Sequence, residues 1–352
     1  MSFKNKFLNK LAIVCTGGVF ALASGCGDPS PVPTTASGKT MGTFYFVETS
    51  EPFAGGSEAL QNLCEQEYSR ISALISTFDK NAELYKLDDN KSTDPIEISD
   101  GLAKIIKGCL EQSERIDFAM DVTVGPLVNL WGFGKDKRLS KEPDEQAILQ
   151  AQKLVGPDKF SLSTDDQGKN FITKALPEVR IDLATVGEGL GADAVAEVLN
   201  AKGVKNYLSS VAGASRSAGT NPQGKPWRIG IEDPSTPDHK VFQAVCPLGM
   251  AMSTAGSYRN YFKDEQSGRI YSHAIDPKTG RPVDHATMSV TVIAPTAFET
   301  DALDTGLLVM GADRALAWAE REGVAVYTIE MKDGKAVGRY SSAFKPYLEC
   351  RK

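Results

Sequence analysis

Helix-like and strand-like patterns alternate along nearly the whole chain after residue 38. That alternation restricts the fold to one that packs helices on a substantial sheet. Apolar residues recur at helical spacing from Ala59 to Thr77, and a second amphipathic segment runs from Gly101 to Phe118, introduced by Ser99-Asp100. Further helix signals fall at Glu145–Leu154, Gly189–Lys202, Ala297–Met310 and Asp313–Glu322. Strand-like runs lie among them at Gly42–Thr49, Val179–Leu183, Tyr207–Val211, Trp227–Glu232, Ala244–Pro247, Gly249–Ser253, Ser289–Ala294 and Val324–Ile329. No repeat or internal linker interrupts the series. The mixture predicts an α/β or α+β domain. A chain of 352 residues suits one large domain or two coupled ones with a sizeable core. With 41% hydrophobic and 24% charged residues, nothing collagen-like, coiled-coil or disordered dominates.

The first 25 residues stand outside that pattern. Lys4, Lys6 and Lys10 form a cationic start, Leu11 to Leu22 an apolar run, and Ala23-Ser24-Gly25-Cys26 follows. Twelve apolar residues are too few to span a bilayer, so residues 1–25 read as a signal peptide. Small residues leading into Cys26 resemble a bacterial lipobox, which implies cleavage before Cys26 and lipidation of its thiol. Plain secretion with a chance cysteine is the alternative. Residues 26–38 (CGDPSPVPTTASG) then read as the lipidated Cys and a flexible tether, and 39–352 as the working domain.

Cleavage removes three lysines and no acid, taking the formal charge from −6 to −9. So acidic a domain argues against nucleic acid or anionic lipid as the main partner. If the substrate is a polyphosphate, a local cation must offset the repulsion, which points to a metal. Of the six cysteines, Cys64, Cys109, Cys246 and Cys350 remain after Cys15 and Cys26 are set aside, and their spacing matches no zinc motif. Export would permit disulfides. Cys64 and Cys109 lie on successive predicted helices and could pair, or all four could be buried free thiols.

Five segments carry chemistry. In Thr296–Gly311 (TAFETDALDTGLLVMG), Thr296 and Glu299 form a capping box, so a helix starts there. Asp301, Asp304 and Thr305 then share one face of an otherwise apolar helix. Two carboxylates and a hydroxyl are hard oxygen donors that suit Mg²⁺. The same spacing also suits two solvated acids near a helix N-terminus. In Val179–Asp193 (VRIDLATVGEGLGAD), a short strand runs through Asp182 into a turn with Gly187, Gly189 and Gly191, where backbone N–H groups could cradle phosphate. The turn is neither a Walker loop nor a dinucleotide fingerprint. In Tyr271–His285 (YSHAIDPKTGRPVDH), His273 precedes the turn Asp276–Gly280. It is either a catalytic group or a structural histidine. His239 and His285 read as loop residues. In Thr254–Tyr261 (TAGSYRNY), Arg259 between aromatics could hold a phosphate, stack on a ring, or simply sit on the surface. In Ala119–Gly134 (AMDVTVGPLVNLWGFG), a loop carries aromatics that would line a pocket or plug a seam.

Taken in order, these segments resemble the ApbE family of FAD:protein FMN transferases. The resembling stretches are KTMGT from Lys39, AMD from Ala119, VGPLVNLWGFG from Val124, IDLATVGEG from Ile181 and PWRIGIEDP from Pro226. SYRNY from Ser257, SHAIDPKTGRPVDH from Ser272 and VTVIAPTAFETDALDTGL from Val290 complete the set. The resemblance runs unbroken from about residue 38 to the C-terminus. It implies an α+β fold, a central sheet-and-helix core bearing a smaller lobe, with FAD held between them as the substrate. It implies Mg²⁺ on Thr185, Asp301, Asp304 and Thr305. FAD contacts would fall on Met41, Phe78, Ala119, Met120, Asp121, Asp182, Glu188 and Ile275, with His273 as the base or orienting group. The family pattern usually has Tyr where Phe78 stands, Gly-Gly at Ala212-Gly213 and Ser-Gly at Ala255-Gly256.

The implied reaction moves FMN from FAD to a Thr or Ser hydroxyl of another protein and releases AMP. The implied acceptors are exported domains of membrane redox complexes, such as Rnf or Nqr subunits. The implied location is the periplasmic side of the inner membrane, held by the lipid anchor. Two rivals use the same flavin: a pyrophosphatase that splits FAD into FMN and AMP, and a lipoprotein that only carries flavin. A structural envelope lipoprotein would bind no flavin.

Overall fold

The computed structural model describes residues 32–134, 141–265 and 267–350. The signal peptide, Cys26 and the tether up to residue 31 lie outside the described residues. The rest of the expected tether does not behave as one. Thr34–Thr40 is a strand, paired residue for residue with Thr43–Thr49 through a tight turn at Met41 and Gly42. The Thr and Ser content that suggests a linker also suits an edge strand whose outer side is wet.

That hairpin opens an eight-stranded antiparallel sheet. Its order continues Tyr207–Val211, Ala214–Ala218, Ala251–Gly256, Thr287–Ala294, Ala325–Lys332 and Lys335–Tyr340. Side chains alternate between its faces. Val290 and Val292 enter the main core beneath the helices, whereas Ile293 enters a separate cluster with Ile231, Val245 and Phe344. Helices Gly56–Ile75, Gly187–Ala201, Ala297–Met310 and Ala312–Glu322 pack against the sheet. The Asp100–Arg115 helix extends the main core towards a three-stranded sheet of Ile96–Ile98, Asn170–Lys174 and Phe160–Thr164.

A further cluster gathers Leu127, Trp131, Ile148, Phe262, Tyr271 and Ile275. Its elements are the short helices Gly125–Leu130 and Glu145–Gln152 and the hairpin of Tyr261–Lys263 with Ile270–Ser272. This is the smaller lobe. The α+β architecture of core and lobe therefore holds.

Two expectations fail for local reasons. The side chains of Val179–Leu183 alternate in burial, but among the described residues no strand pairs with the segment. Its amides are used otherwise: Ile181 N donates to Asp88 Oδ1 at 2.9 Å and Asp182 N to the Val122 carbonyl at 2.6 Å. The suggested Cys64–Cys109 pairing does not form. Cys64 lies in the cluster under the N-terminal hairpin and Cys109 in the main core, and both are free and buried. The disulfide joins Cys246 to Cys350 instead.

Candidate active site

Core and lobe enclose a cleft of about 1100 Å³, just above the usual small-molecule range of about 300–1,000 Å³. Its floor is the helix Ala297–Met310. The capping box there is half made. Thr296 Oγ1 accepts from Glu299 N at 3.2 Å, but the Glu299 carboxylate turns away to Arg115 at 2.8 Å. The helix is apolar nearly all round, so it is buried, and its two aspartates go in with it.

Asp301 and Asp304 are only 6% and 2% exposed. The reading as solvated surface acids is therefore wrong. Asp301 Oδ2 accepts from Gly189 N at 2.7 Å, and its Oδ1 accepts from Ser253 Oγ at 3.1 Å. Asp304 Oδ1 accepts from Thr305 Oγ1 at 3.2 Å. Burial pushes both carboxyls well above the usual range. The charges of Asp304 and Glu188 push Asp301 further, and that of Glu188 adds at Asp304. Thr185 Oγ1 is buried beside the cleft with no hydrogen-bond partner.

Two desolvated acids and an orphaned hydroxyl are costly unless a cation shares them. Oxygen-only donors of this kind fit Mg²⁺, so Thr185, Asp301, Asp304 and Thr305 are a set that could hold it. Among the described residues no group of three or more His, Cys, Asp or Glu is placed to hold a metal, so an ion here would rest on two carboxylates and the hydroxyls.

The glycine turn does a different task from the one expected of it. Gly189 directs its N–H to Asp301. A Cβ on Gly189 would stand 2.3 Å from the Ala297 carbonyl oxygen, and one on Gly191 2.8 Å from Met41 Cε. These glycines let two helices and the N-terminal hairpin approach closely; they are not a phosphate cradle.

His273 lines the same cleft. Its Nδ1 lies 3.1 Å from the Asn260 carbonyl, which can only accept, so Nδ1 carries the proton and Nε2 keeps a free lone pair. Burial holds the imidazole below its ordinary pKa, so the ring is neutral at neutral pH. Phe133 meets it edge-on at 6.3 Å.

Of the expected FAD contacts, Phe78, Ala119, Met120, Asp121, Asp182, Glu188 and Ile275 all line the cleft. Phe78 stands on its rim, 75% exposed. Met41 is not brought there: its side chain packs between the two larger cores. The three acids brace backbone as well. Asp121 Oδ1 accepts from Thr123 N at 2.8 Å and Thr123 Oγ1 at 2.6 Å, Asp182 Oδ1 from Ala184 N at 2.9 Å, and Glu188 Oε2 from Gly213 N at 2.9 Å. Burial raises the pKa of all three. Ala212, beside Gly213, holds φ at 42°, the left-handed region that favours glycine.

Arg259 reaches the cleft wall but is engaged there by Glu232 and by His239 Nδ1 at 2.9 Å, and it stacks over Tyr258. His239, read as a plain loop residue, thus belongs to the wall. Both readings of the Trp131 loop hold in part: Trp131 plugs the lobe and donates to the Gly280 carbonyl at 2.8 Å, while Phe133 lines the cleft. Sequence reasoning missed Ser253, which carries no motif signal. It also missed Asp193, whose signal is an acid in the middle of an apolar helix.

Comparison with known proteins gives the family. The ApbE family model matches residues 41–328. The chain is 41% identical over 319 residues to a FAD:protein FMN transferase of Haemophilus influenzae, covering 90% of this chain and 91% of that one. It is also 41% identical over 343 residues to a Salmonella typhimurium protein of the same name, covering 95% and 96%. The fold superposes on the flavin transferase ApbE from Vibrio cholerae with a TM-score of 0.80 and 35% identity, over 90% of this chain and 99% of that structure. The chain belongs to the ApbE family.

Proposed function

We propose that this chain transfers FMN from FAD to a Thr or Ser hydroxyl of an acceptor protein, in a Mg²⁺-dependent reaction that releases AMP. The observation that carries this reading is the buried pair Asp301 and Asp304 with the unpartnered Thr185 hydroxyl, set in a cleft that His273 also lines. Bound Mg²⁺ would supply positive charge against the FAD pyrophosphate and the AMP leaving group. The chain's own residues do the rest. Asp301, Asp304, Thr185 and Thr305 offer the oxygen donors. The aromatic and apolar wall from Phe78 to Met120 and Ile275 receives the flavin nucleotide.

His273 Nε2 takes the proton of the acceptor hydroxyl as that oxygen attacks the phosphorus on the FMN side. The bond from that phosphorus to the AMP phosphate oxygen breaks, and the new phosphoester holds FMN on the acceptor. Neutral His273, held by the Asn260 carbonyl, is in the protonation state this step needs.

The acceptors are exported domains of membrane redox complexes, of the Rnf or Nqr type. The enzyme works on the periplasmic side of the inner membrane, anchored through lipidated Cys26. The Cys246–Cys350 disulfide supports an oxidising compartment.

The test is intact mass spectrometry of an Rnf- or Nqr-type acceptor domain after incubation with the protein from Gly27, FAD and Mg²⁺. An FMN-sized increase that EDTA prevents is the expected result. Free FMN and AMP without an adduct would make the protein a pyrophosphatase. FAD still bound with neither product formed in the presence of Mg²⁺ would make it a carrier.

A further inference from the structure

We propose that Asp193 is a positioning residue for the acid pair, tying the helix that carries Asp301 and Asp304 in register to the helix that follows Thr185. The inference rests on the metal reading above. Asp193 lies one turn beyond Gly189 on the Gly187–Ala201 helix and is 7% exposed. Its Oδ1 accepts from Ala297 N at 3.0 Å and its Oδ2 from Phe298 N at 2.9 Å, the first two amides of the acid-bearing helix. An ordinary N-cap sits on the helix that it caps. This one sits on a neighbour, so it fixes one helix against the other as well as satisfying the amides.

Two further contacts lie along the same seam. Gly189 N holds Asp301 Oδ2, and the Gly189 backbone rests against the Ala297 carbonyl. The sheet closes the triangle. Arg216 Nη1 donates to Asp193 Oδ1 at 2.7 Å, and Arg216 pairs in register with Ala251, two residues before the Ser253 that holds Asp301. Metal-ligand distances tolerate only about ±0.2 Å. A helix that slips by one residue moves about 1.5 Å, enough to carry both carboxylates out of reach of Thr185. Asp193 is placed to prevent that slip without touching FAD or metal.

The substitution Asp193→Asn keeps the shape but turns one acceptor oxygen into an N–H donor facing an amide. The control is Thr296→Ala, which removes the local cap at the same helix end and leaves the tie between helices in place. Mn²⁺ would be titrated into metal-free full-domain protein and free Mn²⁺ read by electron paramagnetic resonance, beside thermal unfolding and the Mg²⁺ dependence of transfer. Asp193→Asn is expected to weaken Mn²⁺ binding about tenfold or more, raise the Mg²⁺ needed for half-maximal transfer in step, and recover most of the rate at saturating Mg²⁺. Thr296→Ala is expected to lower the melting temperature and leave Mn²⁺ affinity unchanged. If Asp193→Asn also lowers only the melting temperature, Asp193 is merely a cap and the proposal is overturned. Should that variant fail to fold, Asp193→Glu keeps the charge but lengthens the reach to the Ala297 and Phe298 amides, and wild-type Mn²⁺ affinity in it would overturn the proposal. Absence of Mn²⁺ binding by the wild type would instead remove the metal reading, and this inference with it.

Discussion

Asp301 and Asp304 are in electrostatic conflict with their surroundings, and the conflict has a measurable sign. Burial, with the Glu188 charge at both and the Asp304 charge at Asp301, raises their folded-state pKa values above the unfolded value. The ionised pair is therefore destabilising in metal-free protein, and each tenfold weakening of acid strength on folding costs about 1.4 kcal/mol. That cost is absent below about pH 4, where both states are protonated, and grows as the pH rises. Asp301→Asn keeps an acceptor for Gly189 N and removes the charge. In EDTA at pH 8 it is expected to raise the melting temperature by several degrees, and at pH 4 to change it little, as calorimetry would read. The same variant is expected to lose transfer activity; full activity would sink the metal assignment. His273 is perturbed the other way. Burial favours the neutral ring, so the acid limb of kcat/KM is expected to fall below the ordinary histidine value of about 6.5. His273→Ala is expected to abolish that limb and lower kcat by about 10²–10⁴-fold, with FAD affinity in EDTA nearly unchanged. A loss confined to FAD affinity would make His273 a substrate contact. The spacing of Asp301, Asp304 and Thr305 is readable in sequence because a helix fixes which side chains share a face. The role of Ser253 is not, because it depends on a contact 48 residues away in sequence.

Between elements, the decisive contacts are those that no periodicity encodes. Helix periodicity locates the core of the main helices to within a few residues at their ends, because an amphipathic stripe must face a core. The same logic misreads Val179–Leu183. Alternating burial there comes from a segment laid between Asp88 and the Val122 carbonyl, not from a sheet. The glycine turn misleads for a related reason: a glycine that donates to phosphate and a glycine that admits a neighbouring helix look alike in sequence. The packing role makes a clear prediction. In Gly189→Ala the added methyl would meet the Ala297 carbonyl oxygen at 2.3 Å and Asp301 Cβ at 2.8 Å. Both are fixed parts of the acid-bearing helix, so the helices must separate. The expected cost is about 1–3 kcal/mol of stability from overpacking, together with a higher Mg²⁺ requirement for transfer. Urea unfolding checks the first and a Mg²⁺ titration the second. Gly187→Ala, whose Cβ would meet only Ile75 Cδ1 at 3.5 Å, is expected to be far milder; equal effects of the two would mean that close approach is not what Gly189 provides.

Across the whole molecule, the feature least visible in sequence is the bond that secures the C-terminus. Four cysteines allow several pairings, and adjacency on predicted helices favours the wrong one. The pair that forms lies 104 residues apart. Cys246 follows the hairpin strand Val241–Val245, and Cys246 N donates to the Tyr347 carbonyl at 2.9 Å. The hairpin's Ile231 and Val245 share a cluster with Phe344, and Tyr347 and Leu348 pack against it. The same hairpin presents Ile229, Gly230 and Glu232 to the cleft, and Glu232 holds Arg259 there. Closing a loop of that length removes chain entropy worth up to about 4.7 kcal/mol, with about 2–4 kcal/mol usually realised. Cys246→Ser with Cys350→Ser, or reduction by a phosphine, is therefore expected to lower stability by about 2–4 kcal/mol. Because the lost tie lies under one wall of the cleft, FAD affinity is expected to fall as well, whereas Mn²⁺ affinity at the helix floor should hold. Cys64 and Cys109 give an internal control, since both are free and burial pushes each thiol up to about 12. Neither is expected to react with a maleimide in the folded protein, and labelling that appears only after reduction, at Cys246 and Cys350, would locate the redox-sensitive part of the molecule. Unchanged stability and FAD affinity after complete reduction would show that the packing of Phe344 and Tyr347 holds the hairpin without the covalent bond.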